Sequence, residues 1–437
     1  MANSKIFCNV PWTNTHVYWD GSFGACCSEK HRPYLDEQWS TYNLSKMTVD
    51  QWHNSIPIKD LRVAITGDEK LSLCQGCYEQ ENVGYESRRI KENFKSVIFT
   101  EQAFDKSYRQ SPWFDRFDRA PLKEDQLPPS DWHIDLGNEC NLSCKMCRPI
   151  ASSQLAAKYI SWNIPFERRK NWTNDETSWN NFITSVDNSN INRLHFMGGE
   201  PLISKRLYQI VDYLLEKNRT DISVSFVSNG TKIDLELVDK LKQFRSCDIE
   251  ISLESIDRNN DYIRQGLGNI TETVKNNINI LSALQTDNFK IVLRSVPQLL
   301  NINNYDQYII WAWREKLAVQ GIPLDSPRYL SIPVLPTNIR QSLIKQYQQA
   351  KALIQNEASR SFTSLATGRD TSRLDIQLIK ECDGMINILN KPEPDDVHAL
   401  REELARWLMR WDKEFDLNAY DFYPEYTDFL KSIGYEV

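Results

Sequence analysis

Three closely spaced cysteines, Cys140, Cys144 and Cys147, are the residues best suited to metal chemistry in this chain of 437 residues. Thiolates bind zinc and iron–sulfur clusters. A structural zinc site is closed by four protein ligands, usually from paired knuckles, and three cysteines do not complete one. A cubane cluster takes one thiolate per iron, so three cysteines leave one iron with an open coordination position. The spacing therefore favours a four-iron cluster that can bind a further ligand.

A second motif, Gly198, Gly199, Glu200 and Pro201, follows a predicted strand farther along the chain. The two glycines let the backbone approach a bound molecule and adopt positive φ, and Glu200 supplies an acceptor for an ammonium group. Together the two motifs resemble those of the radical S-adenosylmethionine (SAM) superfamily. In that family C-x3-C-x2-C follows the first strand of a partial (βα)6 barrel and GGEP ends the second strand. The resemblance covers about residues 131–335.

The resemblance implies that the open iron binds the amine and carboxylate of SAM, and that GGEP contacts the methionine amine. It also implies that an electron from the reduced cluster cleaves SAM to methionine and a 5′-deoxyadenosyl radical, which abstracts a substrate hydrogen. A flavodoxin or a ferredoxin is the kind of electron donor expected. Further side chains stand where relatives contact SAM or where they could contact the substrate, namely Ser228, Asn229, Ser252, Glu254, Arg264 and Arg294. Capping, turns and ion pairs are their alternative roles.

Five more cysteines lie near the amino terminus: Cys8, Cys26, Cys27, and the C-x2-C pair Cys74 and Cys77. Four thiolates can close a cluster. A four-cysteine zinc ribbon is the alternative, because a C-x2-C knuckle is typical of zinc sites. The pattern resembles the auxiliary-cluster module of SPASM and twitch radical SAM enzymes. This resemblance assigns Cys8, Cys26, Cys74 and Cys77 to a second four-iron cluster, with Cys27 as a neighbour or alternate ligand.

The amino-terminal module departs from the family pattern in two ways. In most relatives it follows the barrel, whereas here it precedes it, and the later cysteines of a complete SPASM set are missing. The departures favour the shorter, twitch-like version with one auxiliary cluster. Of the remaining cysteines, Cys247 and Cys382 are interpreted as buried small hydrophobic residues. Cys382 is also considered as a hydrogen-donating thiol, if the carboxy-terminal region covers the barrel mouth.

The overall composition is that of a folded protein, with 41% hydrophobic residues and 13 tryptophans. No apolar run approaches the roughly 20 residues of a membrane span, and the amino terminus lacks a secretory pattern, so a cytoplasmic location is expected. In that reducing compartment cysteines serve as ligands or buried thiols more often than as disulfides. A formal net charge of −7 gives no general attraction to nucleic acid. The basic cluster at 87–95 is interpreted as a solvated helix face.

Alternating short apolar runs and longer amphipathic runs predict parallel strands joined by helices. The predicted strands are 132–136, 193–196, 222–227, 248–252, 290–295 and 329–334. Helices are predicted at 202–217, 233–244 and 271–285. Repeated βα units of this kind close, or partly close, into a barrel with its chemistry at the carboxyl ends of the strands, and the resemblance implies a partial (βα)6 barrel. An open doubly wound sheet is the alternative, although no G-x-G-x-x-G follows the first strand.

Four segments are predicted within an α/β fold: a cysteine-rich auxiliary module at 1–86, a linker at 87–130, the barrel at 131–335 and a helical carboxy-terminal region at 336–437. A peptide or protein side chain is the favoured substrate, because the aromatic-rich tail and the amino-terminal module can flank an extended groove. A small molecule, such as an amino sugar or a nucleoside, is the alternative substrate. A non-catalytic iron–sulfur electron carrier and a zinc-stapled binding protein are the rival functions.

Overall fold

The computed structural model describes residues 7–27, 34–35, 41–66, 70–82, 87–93, 129–168, 170–266, 268–361 and 372–436. Most of the predicted linker, residues 94–128, lies outside the described residues. Backbone contacts divide the chain into two compact units. The first unit comprises Met1–Glu139, Phe166–Phe226 and Glu236–Cys247, and the second comprises Cys140–Pro165, Val227–Leu235 and Asp248–Val437.

The described strands are β1 (Asn14–Val17), β2 (Phe23–Gly24), β3 (Asp131–Asp135), β4 (Arg193–Met197), β5 (Ser223–Ser228), β6 (Ser246–Ser252), β7 (Phe289–Ser295) and β8 (Ala318–Gly321). The helices up to β5 are α1 (Val10–Thr13), α2 (Val49–His53), α3 (Ile56–Thr66), α4 (Gln75–Asn82), α5 (88–93), α6 (Ser153–Ser161), α7 (Glu176–Asn188) and α8 (Lys205–Glu216). The later helices are α9 (Leu235–Leu241), α10 (Asn259–Arg264), α11 (Ile270–Ala283), α12 (Tyr305–Arg314), α13 (Thr337–Ser361), α14 (Ser372–Leu389), α15 (Val397–Phe415), α16 (Ala419–Phe422) and α17 (Thr427–Ser432).

In the first unit the strand order is β2-β1-β3-β4-β5. β1 pairs antiparallel with β2 and parallel with β3, and β4 is parallel to both β3 and β5. Successive side chains of a strand point to opposite faces of the sheet. Apolar residues such as Trp132 face the helices on one side, where its ring centroid lies 6.1 Å from that of Phe182 on α7. Alternate residues of β3 and β4 are polar and line the opposite face.

In the second unit the order is β6-β7-β8, with β7 parallel to β8. Helices α13 and α14 pack against each other, and α12 contacts both of them. The Tyr347 hydroxyl on α13 donates to the carbonyl of Ile302, 2.6 Å away, and so joins this helical region to the loop after β7. A mixed α/β fold, with parallel strands and a helical carboxy-terminal region, is therefore confirmed.

Five of the six predicted strands are confirmed, with ends that differ by at most two residues. The sixth prediction was wrong. Residues 329–334 fall largely in two 3-10 turns, Arg328–Leu330 and Ile332–Val334, and the last strand is instead β8. Pro327 and Pro333 lack the backbone N–H that a strand ladder needs, so this apolar segment cannot pair as a strand.

The amino-terminal segment is built into the sheet, which the sequence did not indicate, because β1 and β2 extend it beyond β3. The interpretation of 87–95 as a solvated helix face was also wrong for α5. Arg89 is 8% exposed and donates to the carbonyl of Phe7 at 3.1 Å, while Arg88 donates to the sulfur of Cys27. Partly buried acceptors draw both guanidinium groups inward. Within the described ranges, no helix combines the length and apolar character needed to cross a bilayer.

Candidate iron–sulfur sites and their surroundings

The loop after β3 carries Cys140, Cys144 and Cys147, and α6 begins shortly after it. The N–H of Cys147 donates to the carbonyl of Cys144 at 3.0 Å, which closes a turn between these two cysteines. The hydroxyl of Ser153 accepts a hydrogen bond from the Cys140 N–H at 3.1 Å. Ser152 caps α6 through its side chain. The start of the helix thus holds the backbone of the loop that carries the three cysteines.

The three thiols lie close enough to influence one another electrostatically. Burial raises the pKa of Cys144 well above its usual value, and Cys147 and Cys140 raise it further. Burial, followed by the neighbouring Cys140, raises the pKa of Cys147 to about 11. Metal binding requires thiolates and releases their protons, so a bound cation would relieve the electrostatic cost that raises these values. The donor set therefore fits a cluster held by three cysteines.

Lys145 extends from this loop toward the carboxy-terminal region of the second unit. Its ammonium donates to the carbonyl of Tyr262 at 2.8 Å and lies 3.3 Å from the centroid of the Tyr262 ring. It also lies 5.7 Å from the Trp411 ring centroid. Burial lowers the pKa of Lys145 to about 7, and Asp412 acts in the opposite direction. An aromatic and acidic enclosure therefore holds this side chain.

In the first unit, the GGEP segment is pressed against the backbone that leads into the cysteine motif. Gly198 and Gly199 have φ values of +80° and +56°. The N–H of Glu200 donates to the carbonyl of Glu139 at 2.7 Å. A Cβ on Gly199 would lie 2.1 Å from that same carbonyl oxygen, and one on Gly198 would lie 2.7 Å from the carbonyl oxygen of Gly137. Only glycine allows this approach.

The Glu200 carboxylate is buried, with 1% of the residue exposed. One of its oxygens accepts a hydrogen bond from the N–H of Leu202 at 3.0 Å and caps the 3-10 turn Pro201–Ile203. A carboxylate placed at the positive end of a turn is already stabilised by backbone dipoles. Its contact with the SAM amine stays a prediction.

Ser228 and Asn229 form a turn at the end of β5. The Ser228 hydroxyl accepts from the N–H of Gly230 at 3.0 Å, and the side-chain oxygen Oδ1 of Asn229 accepts from the N–H of Thr231 at 3.0 Å. The Asn229 amide also donates to the side chain of Asn141 at 2.8 Å. Both side chains therefore have the turn-forming role that was the alternative to SAM contact. Asn229 also connects this turn to the cysteine loop of the second unit.

Glu254 and Arg264 form a buried ion pair with a separation of 2.7 Å. The other Glu254 oxygen accepts hydrogen bonds from the Ser295 hydroxyl at 3.1 Å and the Val296 N–H at 2.7 Å. Arg264 also lowers the pKa of Cys144 through its positive charge. Its Nε is buried without a hydrogen-bond partner among the described residues, so one donor remains available to a ligand. Protein groups therefore engage both oxygens of Glu254.

The last two predicted contact residues lie on neighbouring strands of the second unit. Ser252 is the final residue of β6 and is buried. Arg294 on β7 pairs with the carboxylate of Glu250 on β6, which is the ion-pair role that the sequence left open. Contacts of either side chain with SAM or substrate stay predictions.

Replacing Arg264 by Met would leave the Glu254 charge buried without its cation. We expect the free energy of unfolding to fall by about 3–5 kcal/mol, measured by urea denaturation. In the double variant Glu254→Gln/Arg264→Met no buried charge is left, so much of the loss should be recovered. Arg328→Met breaks an exposed pair with Asp396 and is the control, with no measurable change expected. An equal loss in both single variants would contradict the role of burial.

The amino-terminal cysteines converge in the first unit. Burial raises the pKa of Cys8 to about 12, and Cys74 and Cys77 raise it further. The pKa of Cys26 is also raised, by its hydrogen bond to Cys27, by burial and in smaller part by Cys8. Cys8 therefore interacts with each of the other three cysteines assigned to the auxiliary site. The structure brings the four assigned cysteines together.

Cys27 occupies a different electrostatic environment from Cys26. Its pKa is lowered well below the usual value by the hydrogen bond with Cys26, and Arg88 and His133 lower it further against the effect of burial. Arg88 donates to the Cys27 sulfur. Besides Cys26, the strongest neighbours of Cys27 are thus Arg88 on α5 and His133 on β3.

No group of three or more His, Cys, Asp or Glu side chains in the described ranges is arranged around a single metal ion. A cubane spreads its ligands more widely than a single ion does, because each thiolate binds a different iron. Within each set of cysteines, the thiols shift one another's pKa values. These shifts indicate that the thiols of a set lie close together on that larger scale.

Two sequence families match the chain. The model of the Radical SAM superfamily matches residues 134–297. The chain therefore contains a radical SAM domain. An iron-sulfur cluster-binding domain, SPASM, matches residues 8–78 and so lies before the radical SAM domain. These two matches imply iron–sulfur clusters and SAM binding.

Individual relatives of this chain are distant. The radical SAM cyclopropyl synthase TigE of Paramaledivibacter caminithermalis is 26% identical over 198 residues, which cover 44% of this chain and 40% of TigE. Native anSMEcpe with bound AdoMet has a TM-score of 0.40 at 14% identity, covering 52% of this chain and 62% of that chain. SuiB of Streptococcus suis bound to S-adenosylmethionine has a TM-score of 0.39 at 12% identity, covering 67% and 62%. The chain thus spans less than two thirds of each relative.

The chain also contains a set of polar residues that the sequence analysis missed. His16, His133 and His195 lie side by side on β1, β3 and β4, and we call them the histidine ladder. Ring centroids are 6.4 Å apart for His16 and His133, and 4.6 Å apart for His133 and His195. His16 lies 3.3 Å from Asp135, and His195 lies 2.8 Å from the Ser225 hydroxyl. Polar residues at alternate positions of D-W-H-I-D and R-L-H-F-M were the available signal.

Two cysteines lie outside both predicted cluster sites. Cys247 is the second residue of β6, and Cys382 lies on α14. Both are completely buried, as predicted. Burial raises the pKa of Cys382 to about 12, which keeps this thiol protonated.

Proposed function

We propose that this chain is a radical SAM enzyme with two four-iron clusters. The SAM-binding cluster would be held by Cys140, Cys144 and Cys147, and the auxiliary cluster by Cys8, Cys26, Cys74 and Cys77. The single observation that carries the proposal is the proximity of the thiols within each set. The SAM-binding set supplies only three of the four thiolates that a cubane takes. When bound, the reduced cluster and SAM supply a 5′-deoxyadenosyl radical that abstracts a substrate hydrogen.

The chain's own residues position and compensate charge at the SAM-binding cluster. Arg264 places a guanidinium near Cys144 and Cys140, which would offset the negative charge of their thiolates. Asn229 holds Asn141, the residue after Cys140, in place. Preorganised groups of this kind spare the site the cost of reorganising its charges and backbone.

We further propose a peptide or protein side chain as the substrate. A cavity of about 710 Å³ in the second unit supports this proposal. Its lining combines Asp257 after β6 and Asn303 after β7 with Asp421, Phe422 and Glu425 of the carboxy-terminal region. Cavities of this size hold small ligands or short peptide segments. The carboxy-terminal region thus helps to form a recess beside loops that follow strands.

Anaerobic reconstitution tests the two-cluster proposal. About eight irons per chain are expected, about four would leave a single cluster, and zinc without iron would favour the binding protein. SAM and a low-potential reductant should then release 5′-deoxyadenosine. A non-catalytic iron–sulfur carrier would contain iron but release none.

Deuterium transfer tests the substrate class. Deuterium from a pool of deuterated synthetic peptides should appear in 5′-deoxyadenosine, because the radical takes a hydrogen atom from its substrate. Transfer from deuterated amino sugars or nucleosides instead would favour the small-molecule alternative.

Cys26→Ala is expected to remove the auxiliary cluster, so that iron falls from about eight to about four per chain. Cys26 interacts with Cys8, whereas the strongest neighbours of Cys27 besides Cys26 are Arg88 and His133. Cys27→Ala is the matched control and should keep about eight irons. The reverse outcome would identify Cys27 as the ligand.

A further inference from the structure

Arg88 lies between the auxiliary cysteines and the histidine ladder. Its Nη1 donates to the sulfur of Cys27. Its Nη2 lies 2.9 Å from Nε2 of His133, the central residue of the ladder. The guanidinium charge also acts on Cys26 and Cys8. One cation is therefore shared among the sulfur atoms on this side of the module.

The helix that carries Arg88 is fixed to the backbone on both sides of Cys8. On α5, Asn93 accepts a hydrogen bond from the Asn9 N–H at 3.0 Å and donates to the Phe7 carbonyl at 2.8 Å. Arg89 donates to the same carbonyl at 3.1 Å. Hydrogen bonds that flank a predicted ligand hold the helix, and with it Arg88, in a constant position relative to the cysteines.

Acidic groups also lie near Arg88. After Cys27 and Cys26, Asp131 and Glu92 have the strongest charge interactions with the Arg88 guanidinium. Asp131 also lies 3.7 Å from Arg193 and 3.6 Å from His133, so its negative charge is divided among several partners. At the cysteines, the positive charge of Arg88 lowers the pKa of Cys8 and of Cys26, against the rise that burial causes.

We propose that Arg88 is a positioning residue that raises the reduction potential of the auxiliary cluster, an inference that rests on the proposed cluster at Cys8, Cys26, Cys74 and Cys77. Reduction adds one electron and hence one negative charge to a cluster. A fixed cation beside the sulfur atoms stabilises the reduced state more than the oxidised state, and charge and hydrogen bonds to sulfur are known determinants of cluster potential. No bond forms or breaks, and the electron comes from an external chemical reductant.

The full-length chain with Cys140, Cys144 and Cys147 replaced by Ala isolates the auxiliary cluster. Its midpoint potential is measured by anaerobic titration with dithionite and followed by electron paramagnetic resonance. Arg88→Gln in this background should make reduction at least tenfold less favourable, a lowering of about 59 mV for one electron. Arg88→Lys keeps the charge and should restore most of that shift. Arg245→Gln removes an equal charge from an exposed side chain and should leave the potential unchanged.

An Arg88→Gln chain with full iron content and an unchanged midpoint would overturn the proposal. If that variant loses its iron, Arg88→Met replaces it as the neutral variant. Iron loss in both neutral variants would assign Arg88 a purely structural role and also overturn the proposal. Failure of the auxiliary cluster itself is distinguishable, because the background chain would then hold no iron before any change at Arg88.

Discussion

A Cys144→Ala chain is expected to lose the SAM-binding cluster and all reductive cleavage of SAM. Only two thiolates would remain in a loop whose cluster takes three from the protein. After reconstitution, iron should fall from about eight to about four per chain. Release of 5′-deoxyadenosine should fall to the level produced by the reductant alone. The auxiliary cysteines belong to another segment, so their signal in electron paramagnetic resonance should persist.

Cys382→Ala is the matched control for this experiment. Cys382 is also a buried thiol of the second unit, but it lies on α14, and no other cysteine is near it in the sequence. Its replacement should leave both the iron count and the yield of 5′-deoxyadenosine at the level of the unchanged chain. Equal iron loss in both variants would show that removing any buried thiol disturbs cluster assembly. That result would contradict a specific ligand role for Cys144.

A Gly199→Ala chain is expected to keep its iron and to cleave SAM at least about 100-fold more slowly, since displacements near 1 Å can have effects of that size. The added Cβ would meet the Glu139 carbonyl oxygen at 2.1 Å, which is far inside any normal contact distance. The backbone of GGEP, or the segment before Cys140, must therefore move. The measurement is the rate of 5′-deoxyadenosine release at saturating reductant, normalised to iron content.

Gly268→Ala separates this clash from backbone strain. Gly268 has φ +78°, close to the values of the GGEP glycines, yet an added Cβ would meet nothing within 4 Å. A non-glycine residue in this left-handed region costs roughly 1–2 kcal/mol wherever it occurs. We expect Gly268→Ala to cleave SAM at nearly the normal rate. A similar loss of rate in both variants would attribute the effect to strain and not to close approach.

The parts of the site that depend on short segments were accessible from the sequence. The spacing of Cys140, Cys144 and Cys147 is itself the signal, and a strand followed by Gly-Gly predicts both positive φ and close backbone approach. Five strands were predicted for the same reason, since alternation and apolar runs are local properties. The strand predicted at 329–334 failed because the apolar character of the segment was given more weight than Pro333 within it and Pro327 just before it.

Features that depend on register were not accessible. The histidine ladder joins residues that are far apart in sequence, and nothing local to His16 indicates that it lies beside His133. The position of Arg88 could not be predicted for a similar reason. A basic helix has the same sequence pattern whether its guanidinium groups face water or the sulfur of a cysteine. Charge patterning identifies the groups that carry charge but leaves their partners open.

The predicted SAM contacts show a related limit. Glu254, Arg264 and Arg294 are plausible ligand contacts by chemical type, and the structure pairs each of them with another protein group. The same side chains serve equally well in ion pairs and in ligand binding, and sequence position does not distinguish the two roles.

The enclosure of Lys145 carries a consequence for biosynthesis. The cysteine loop is synthesised before Trp411, which lies 5.7 Å from the Lys145 ammonium. Until Trp411 has been synthesised, this ammonium lacks part of its aromatic and acidic surroundings. Since chains fold as they emerge from the ribosome, Lys145 is expected to reach its final enclosure only after the segment that contains Trp411 has emerged.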